Sequence, residues 1–138
     1  MQNEPVPSVF IVDDSEPVRE RLKELIETGP CARIVGEAAS VASAIAGIKA
    51  WQPDYVVLDY QLQNGTGLDV LREVRCQAPS SCFIVLTNHA TTGLRDAFMN
   101  AGAQFLLDKS FEFERLPQLI AELGARDQQD KPEVLLGR

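Results

Sequence analysis

Short apolar runs alternate with helix-spaced apolar residues from one end of the chain to the other. Val9–Val12 is a compact apolar run, the pattern of a strand buried on both faces. Ser15, Glu16 and Pro17 then form a helix start, and Val18, Leu22, Leu25 and Ile26 follow at helical spacing. Thr28-Gly29-Pro30 stops that helix. Ile34–Ala38 reads as a second strand, more polar and nearer a sheet edge. Ser40 caps a second helix through Val41, Ile45 and Ile48, and Pro53-Asp54 breaks it before a third strand, Tyr55–Leu58. Leu68, Leu71 and Val74 place a helix after a glycine loop, and Cys82–Leu86 is the most apolar strand. Leu94, Ala97, Phe98 and Ala101 mark a fourth helix closed by Gly102. Phe105–Leu107 is a short fifth strand, and Leu116, Leu119, Ile120 and Leu123 mark a last helix ending near Gly124. No repeat is present.

Five strand–helix units predict an α/β fold: a doubly wound parallel sheet with helices on both faces, since each right-handed crossover must cover the sheet. About 125 ordered residues suit the five-stranded order 2-1-3-4-5, the flavodoxin-like arrangement. We read residues 1–7 as an N-terminal extension, 8–124 as the domain, and 125–138 as a polar, aperiodic tail.

The chain has 138 residues, one domain's length, with 45% hydrophobic residues and a formal charge of −7. That charge argues against direct binding of nucleic acid through a basic face. No apolar run reaches the ~20 residues of a membrane span. The first residues lack a basic start and an apolar signal core, so a cytoplasmic protein is expected. Cys31, Cys76 and Cys82 are odd in number and widely spaced, which reads as free thiols.

The chemistry gathers at strand ends. The first strand runs into Asp13-Asp14, the third into Asp59, the fourth into Thr87-Asn88-His89 and the fifth into Asp108-Lys109. In the predicted order the first and third strands are neighbours at the topological switch point, where open α/β sheets bind ligands. Two unit charges ~4 Å apart repel by roughly 4 kcal/mol at an effective dielectric near 20. A hard divalent cation such as Mg²⁺ removes that repulsion. A carboxylate to accept a group, a hydroxyl at Thr87 and an ammonium at Lys109 complete what attachment of a phosphoryl group to an aspartate requires.

These residues resemble the receiver domain of bacterial two-component response regulators. The resemblance covers roughly residues 8–124. It rests on Asp13-Asp14, Asp59, Thr87 and Lys109, with Gly65-x-Gly67-Leu68 opening the third helix. It implies that Asp59 is the phosphoacceptor and that Asp14 ligates Mg²⁺ directly, with Asp13 acting largely through water. The main-chain carbonyl of Gln61 would add a ligand, and Thr87 and Lys109 would contact the phosphoryl oxygens and drive switching. It further implies a sensor histidine kinase or phosphotransfer protein as donor and a downstream protein as target. The domain would be regulatory rather than enzymatic, and a homodimer is compatible with it. Gln61 and His89 occupy places like the family's variable, lifetime-setting positions.

Three departures are visible. Gln63 stands where the family often has Pro. Ser110 follows Lys109 in place of Pro, which predicts a trans or unconstrained Lys109–Ser110 peptide. Leu106 occupies the switch position usually held by an aromatic residue, with Phe105 expected on the opposite strand face.

Plainer readings compete. Asp14 or Ser15 would cap a helix, Lys109 would be a surface cation, His89 a solvated loop residue, and the Leu116–Leu123 stripe core packing. Capping explains one position and leaves the others as coincidence. Three other functions are weighed. A haloacid-dehalogenase-type phosphohydrolase prefers a second Asp where Gln61 stands and needs a cap domain. A constitutive scaffold does not need the acid cluster. A flavin binder would find its phosphate repelled by Asp13-Asp14-Ser15-Glu16. With no output region after the last helix, a stand-alone receiver is expected.

Overall fold

A computed structural model describes residues 6–27, 32–88 and 90–123. The helix stop at Thr28-Gly29-Pro30, and Cys31, His89, Gly124 and the tail from Ala125, lie outside the described residues. The strands β1 (Ser8–Val12), β2 (Arg33–Ala38) and β3 (Tyr55–Leu58) precede a two-stranded ribbon of β4 (Gln61–Leu62) and β5 (Gly65–Thr66). Then come β6 (Cys82–Thr87) and β7 (Phe105–Asp108). The main sheet is parallel in the order β2-β1-β3-β6-β7. Without the ribbon this is the expected 2-1-3-4-5.

Alternation along the strands divides the core. Phe10, Val12, Val56, Leu58, Phe83, Val85 and Leu106 face one side. There they meet α2 (Val41–Trp51), α3 (Gly67–Val74) and α4 (Thr92–Ala101) through Ile48, Leu71 and Phe98. Val9, Ile11, Tyr55, Val57, Ile84, Leu86 and Leu107 face the other, under α1 (Glu16–Glu27) and a helix over residues 116–123. Period-2 alternation with both faces apolar is the reason each central strand reads as an unbroken hydrophobic run. Phe105 and Leu106 fall on opposite faces, as their adjacency requires.

Local chemistry sets the boundaries. Ser40 and Ser43 form a reciprocal capping box at the start of α2, and Gln52 ends it in the left-handed region at φ 47°. Thr66 and Asp69 do the same for α3. Gly102, at φ 114°, closes α4. At the edge where strands begin, Asp54 and Ser8 clamp each other. The Ser8 amide donates to Asp54 Oδ2 at 2.8 Å and the Asp54 amide to Ser8 Oγ at 3.0 Å.

Two features were not read from sequence. The ribbon turns through Asn64 (φ 65°) and Gly65 (φ 143°), and the Asn-Gly pair is its signal. The segment leaving β7 is helical at once: α5 (Lys109–Glu112) is followed by a 3₁₀ turn, Phe113–Arg115, leading into the helix over 116–123. No peptide bond is cis among the described residues, in line with the trans Lys109–Ser110 expectation.

Gly47 sits inside α2, where alanine has the better propensity by ~1 kcal/mol. A Cβ at Gly47 would strike the ring of Phe10, which is buried beneath it and also closes on Gly36. Gly47→Ala is expected to destabilise the protein by about 1–3 kcal/mol, because overpacking outweighs propensity. Urea unfolding measures it, and a stabilised variant would show that the ring moves freely.

Candidate phosphoacceptor and metal site

The ends of β1, β3, β6 and β7 open on one edge of the sheet. Asp13 follows β1 and donates its amide to the Ala38 carbonyl at 3.0 Å. Asp59 follows β3, and its amide donates to the Val12 carbonyl at 3.0 Å. The two turns are thus tied to neighbouring strands, and the carboxylates are delivered side by side. One carboxylate oxygen from each of Asp13, Asp14 and Asp59 lies within 4.8 Å of the others. Asp13 and Asp59 are buried, and Asp14 is exposed at the mouth.

Lys109 enters from the end of β7. Its Nζ donates to Asp13 Oδ2 at 2.7 Å and lies 3.2 Å from Asp59 Oδ2. The Tyr60 amide donates to Asp59 Oδ1 at 2.7 Å, and the Ser15 amide to Asp13 Oδ1 at 2.9 Å. Val18 donates its amide to Ser15 Oγ at 3.4 Å, so Ser15 starts α1 while Asp13 holds Ser15.

Burial pushes the Asp59 carboxyl above the usual aspartate range. The charge of Asp13 adds to that, while Lys109 and the Tyr60 amide oppose it. Burial alone would lower the Lys109 ammonium. The hydrogen bond to Asp13 and the charges of Asp59 and Asp13 outweigh it and hold the ammonium above the ordinary lysine value. One ammonium therefore bridges two of the three carboxylates, and the cluster keeps an excess of negative charge. An all-oxygen set of hard donors at this separation fits a divalent cation of the Mg²⁺ type.

Thr87 is buried at the end of β6 and pairs in register with Asp108, the residue before Lys109. Gln61 is exposed and begins the ribbon, two residues after Asp59. Leu106 is buried in the cluster that holds Val85 and Phe98. The structure brings Asp13, Asp14 and Asp59 together with Lys109 against Asp13 and Asp59, and Thr87 lies on the same edge.

Sequence reasoning missed Arg19. The Arg19 side chain is only 15% exposed, and its guanidinium donates to the Asp13 carbonyl and to Glu37. The signal was present: Arg19 shares a helical face with Leu22 and Ile26, where a charge needs partners.

Gly67 holds the loop after Asp59 closed. Its amide donates to the Tyr60 carbonyl at 2.6 Å, and a Cβ there would collide with the main-chain carbonyl of Asp59. Gly67→Ala should displace the Asp59 turn and destabilise the fold by about 1–3 kcal/mol. Thermal unfolding checks the stability loss, and a wild-type melting curve would refute this close approach.

The sequence matches the family model of the response regulator receiver domain over residues 9–121. It is 36% identical over 118 residues to the DNA-binding transcriptional activator DevR/DosR of Mycobacterium tuberculosis, covering 85% of this chain and 54% of that protein. It is 33% identical over 118 residues to a protein-glutamate methylesterase/protein-glutamine glutaminase of Pseudomonas fluorescens, covering 83% of this chain and 31% of that one. The chain therefore spans about half or less of the length of these relatives. Among solved structures, a LuxR-family two-component response regulator from Aurantimonas superposes with a TM-score of 0.74 at 28% identity, covering 97% of this chain and 88% of that one. A CheY-like receiver domain protein from Methanospirillum hungatei superposes at 0.80 with 23% identity, covering 93% and 99%, a likeness of fold. With the parallel sheet, the acidic edge and these likenesses in agreement, the chain belongs to the response regulator receiver domain family, the regulatory domains of two-component phosphorelay signalling.

Proposed function

We propose that Asp59 is the phosphoacceptor of this domain and that Asp13, Asp14, Asp59 and the main-chain carbonyl of Gln61 hold Mg²⁺ beside it. The observation that carries this reading is the convergence of three carboxylates within 4.8 Å, with one ammonium bridging two of them. A bound divalent cation supplies charge neutralisation for the transferring group and the acceptor. An Asp59 carboxylate oxygen attacks phosphorus, the P–N bond of a phosphohistidine breaks, and the leaving imidazole nitrogen takes up a proton. The product is an acyl phosphate on Asp59. Lys109 exchanges its contact with Asp59 for one with a phosphoryl oxygen, and Thr87 donates its hydroxyl to another.

The donor is a sensor histidine kinase or a phosphotransfer protein in the cytoplasm, and the recipient of the signal is a further protein. The switch position holds Leu106, which has no ring to rotate. Switching there is a change of packing within the Val85–Phe98 cluster. Gln61 and His89 set how readily water reaches the acyl phosphate.

Acetyl phosphate and Mg²⁺ should add one phosphoryl group, read by intact mass and mapped by peptide analysis to Asp59. Chelation of the cation should prevent it. An adduct mapped elsewhere, or none with acetyl phosphate or a partner kinase, would overturn the assignment.

A further inference from the structure

We propose that Arg19 is a positioning residue for the acidic site: anchored on Glu37, its guanidinium fixes the Asp13–Asp14 peptide and thereby sets the pose of the Asp14 carboxylate. This rests on the reading of Asp13, Asp14 and Asp59 as a divalent-cation site.

The contacts run in sequence from a helix to the metal-facing turn. Arg19 Nη1 donates to the main-chain carbonyl of Asp13 at 2.7 Å, and Arg19 Nε donates to Glu37 Oε1 at 2.7 Å. Glu37 is itself immobilised. Its other oxygen takes Lys23 Nζ at 2.7 Å, and Lys23 also reaches Glu20 at 2.8 Å. The hydrogen bond from Lys23, with help from Arg19, holds the Glu37 carboxyl below the usual glutamate range against the opposing effect of burial. Glu37 stands in β2 beside Ala38, whose carbonyl accepts the Asp13 amide. The guanidinium fork therefore joins α1, β2 and the turn after β1 in one rigid unit.

The peptide between Asp13 and Asp14 is planar, so a held carbonyl fixes the plane and with it the direction in which Asp14 leaves the chain. The other handles of Asp13 are taken: its amide by Ala38, Oδ1 by the Ser15 amide and Oδ2 by Lys109. Those contacts place Asp13. The Arg19 contact is the one aimed at the peptide leading to Asp14, the exposed member of the cluster. Loss of a partner that orients a metal ligand from behind typically costs about 10–100-fold in metal affinity. A lysine offers a point charge on a flexible stem, whereas the planar fork holds the carbonyl and Glu37 in one fixed geometry.

Calorimetric titration of the full chain with Mg²⁺ tests this. Asp14→Asn should abolish binding in the wild-type range, and Arg19→Ala should weaken it by about tenfold or more. Glu37→Gln should weaken it in the same direction. Asp54→Asn removes the carboxylate charge from the clamp at the opposite edge of the sheet and so weakens it. It lowers the melting temperature but should leave Mg²⁺ affinity within about twofold of wild type, which separates positioning from general loss of stability. If the wild type and Asp54→Asn bind, Asp14→Asn does not, and Arg19→Ala matches wild type, Arg19 is not a positioning residue and the cation site stands. Absence of binding to the wild type overturns both. Should Arg19→Ala fail to fold, Arg19→Lys carries the test: unchanged affinity overturns the proposal, and weakened affinity at preserved fold supports it.

Discussion

Metal-free Lys109→Met protein loses about 3–5 kcal/mol of stability at neutral pH, the range for breaking a buried ion pair by removing one partner. The side chain of Lys109 is 13% exposed and that of Asp13 is 2% exposed, so water does little to screen what remains. Methionine fills the space of the stem but leaves Asp13 and Asp59 facing each other without a cation. The pH profile is the sharper signature. The ammonium is held above its ordinary value in the folded state, so its contribution is complete below the ordinary lysine range and is lost only as pH rises through the folded value. At neutral pH the wild type therefore has all of it. In the variant the Asp59 carboxyl, already raised by burial, loses the opposing charge of Lys109 and is driven further up, so its folded state favours protonation. Its deficit should be smallest below the ordinary carboxylate range and should widen as the pH rises toward neutrality. Urea unfolding between about pH 4 and about pH 8 measures this. Millimolar Mg²⁺ should restore part of the loss by supplying charge to the same oxygens. A deficit independent of pH and of Mg²⁺ would mean that Lys109 contributes packing alone.

Asp59→Asn has the opposite sign. Metal-free, this variant should melt above the wild type by about 2–5 °C, what ~1 kcal/mol produces in a domain of this size. Burial raises the Asp59 carboxyl, and Asp13 raises it further. A carboxyl whose folded pKa lies above its unfolded one stabilises the fold below the ordinary aspartate range and ceases to do so as pH rises through the folded value. At neutral pH the wild type bears that penalty, and a neutral amide removes it. Lys109 keeps its 2.7 Å contact with Asp13, so the substitution strands no charge. The same variant should take up no phosphoryl group from acetyl phosphate, and Mg²⁺ should raise its melting temperature less than it raises the wild type's. Calorimetry with and without Mg²⁺ reads both shifts. A metal-free variant less stable than wild type would show that the Asp59 contacts with Lys109 and the Tyr60 amide outweigh the repulsion. Loss of the proposed acceptor can thus coexist with a gain in stability, the expected trade at a site where like charges are gathered for chemistry.

Much of this was legible from residue order. Val9–Val12, Tyr55–Leu58 and Cys82–Leu86 declare themselves because strands buried on both faces must be apolar at every position. Helices on both faces follow from the handedness of crossovers, the strand order was read from five units in about 125 residues, and the carboxylate cluster follows from the order. The ribbon was missed because two-residue strands have no period to detect, although Asn64-Gly65 marked the turn. The immediate helix after β7 was missed because the apolar stripe becomes regular only from Leu116 onward.

The sequence alone determined the five main strands and the helices between them, how they wind, and which carboxylates and which ammonium share an edge, since periodicity and chain handedness are properties of residue order. Only the tertiary structure decided the distances that make the edge a site: the 2.7 Å reach of Lys109 to Asp13, the burial that raises Asp59, and the grip of Arg19 on the Asp13 carbonyl. Those depend on side-chain direction and solvent exclusion across residues up to 96 positions apart, which no local pattern encodes.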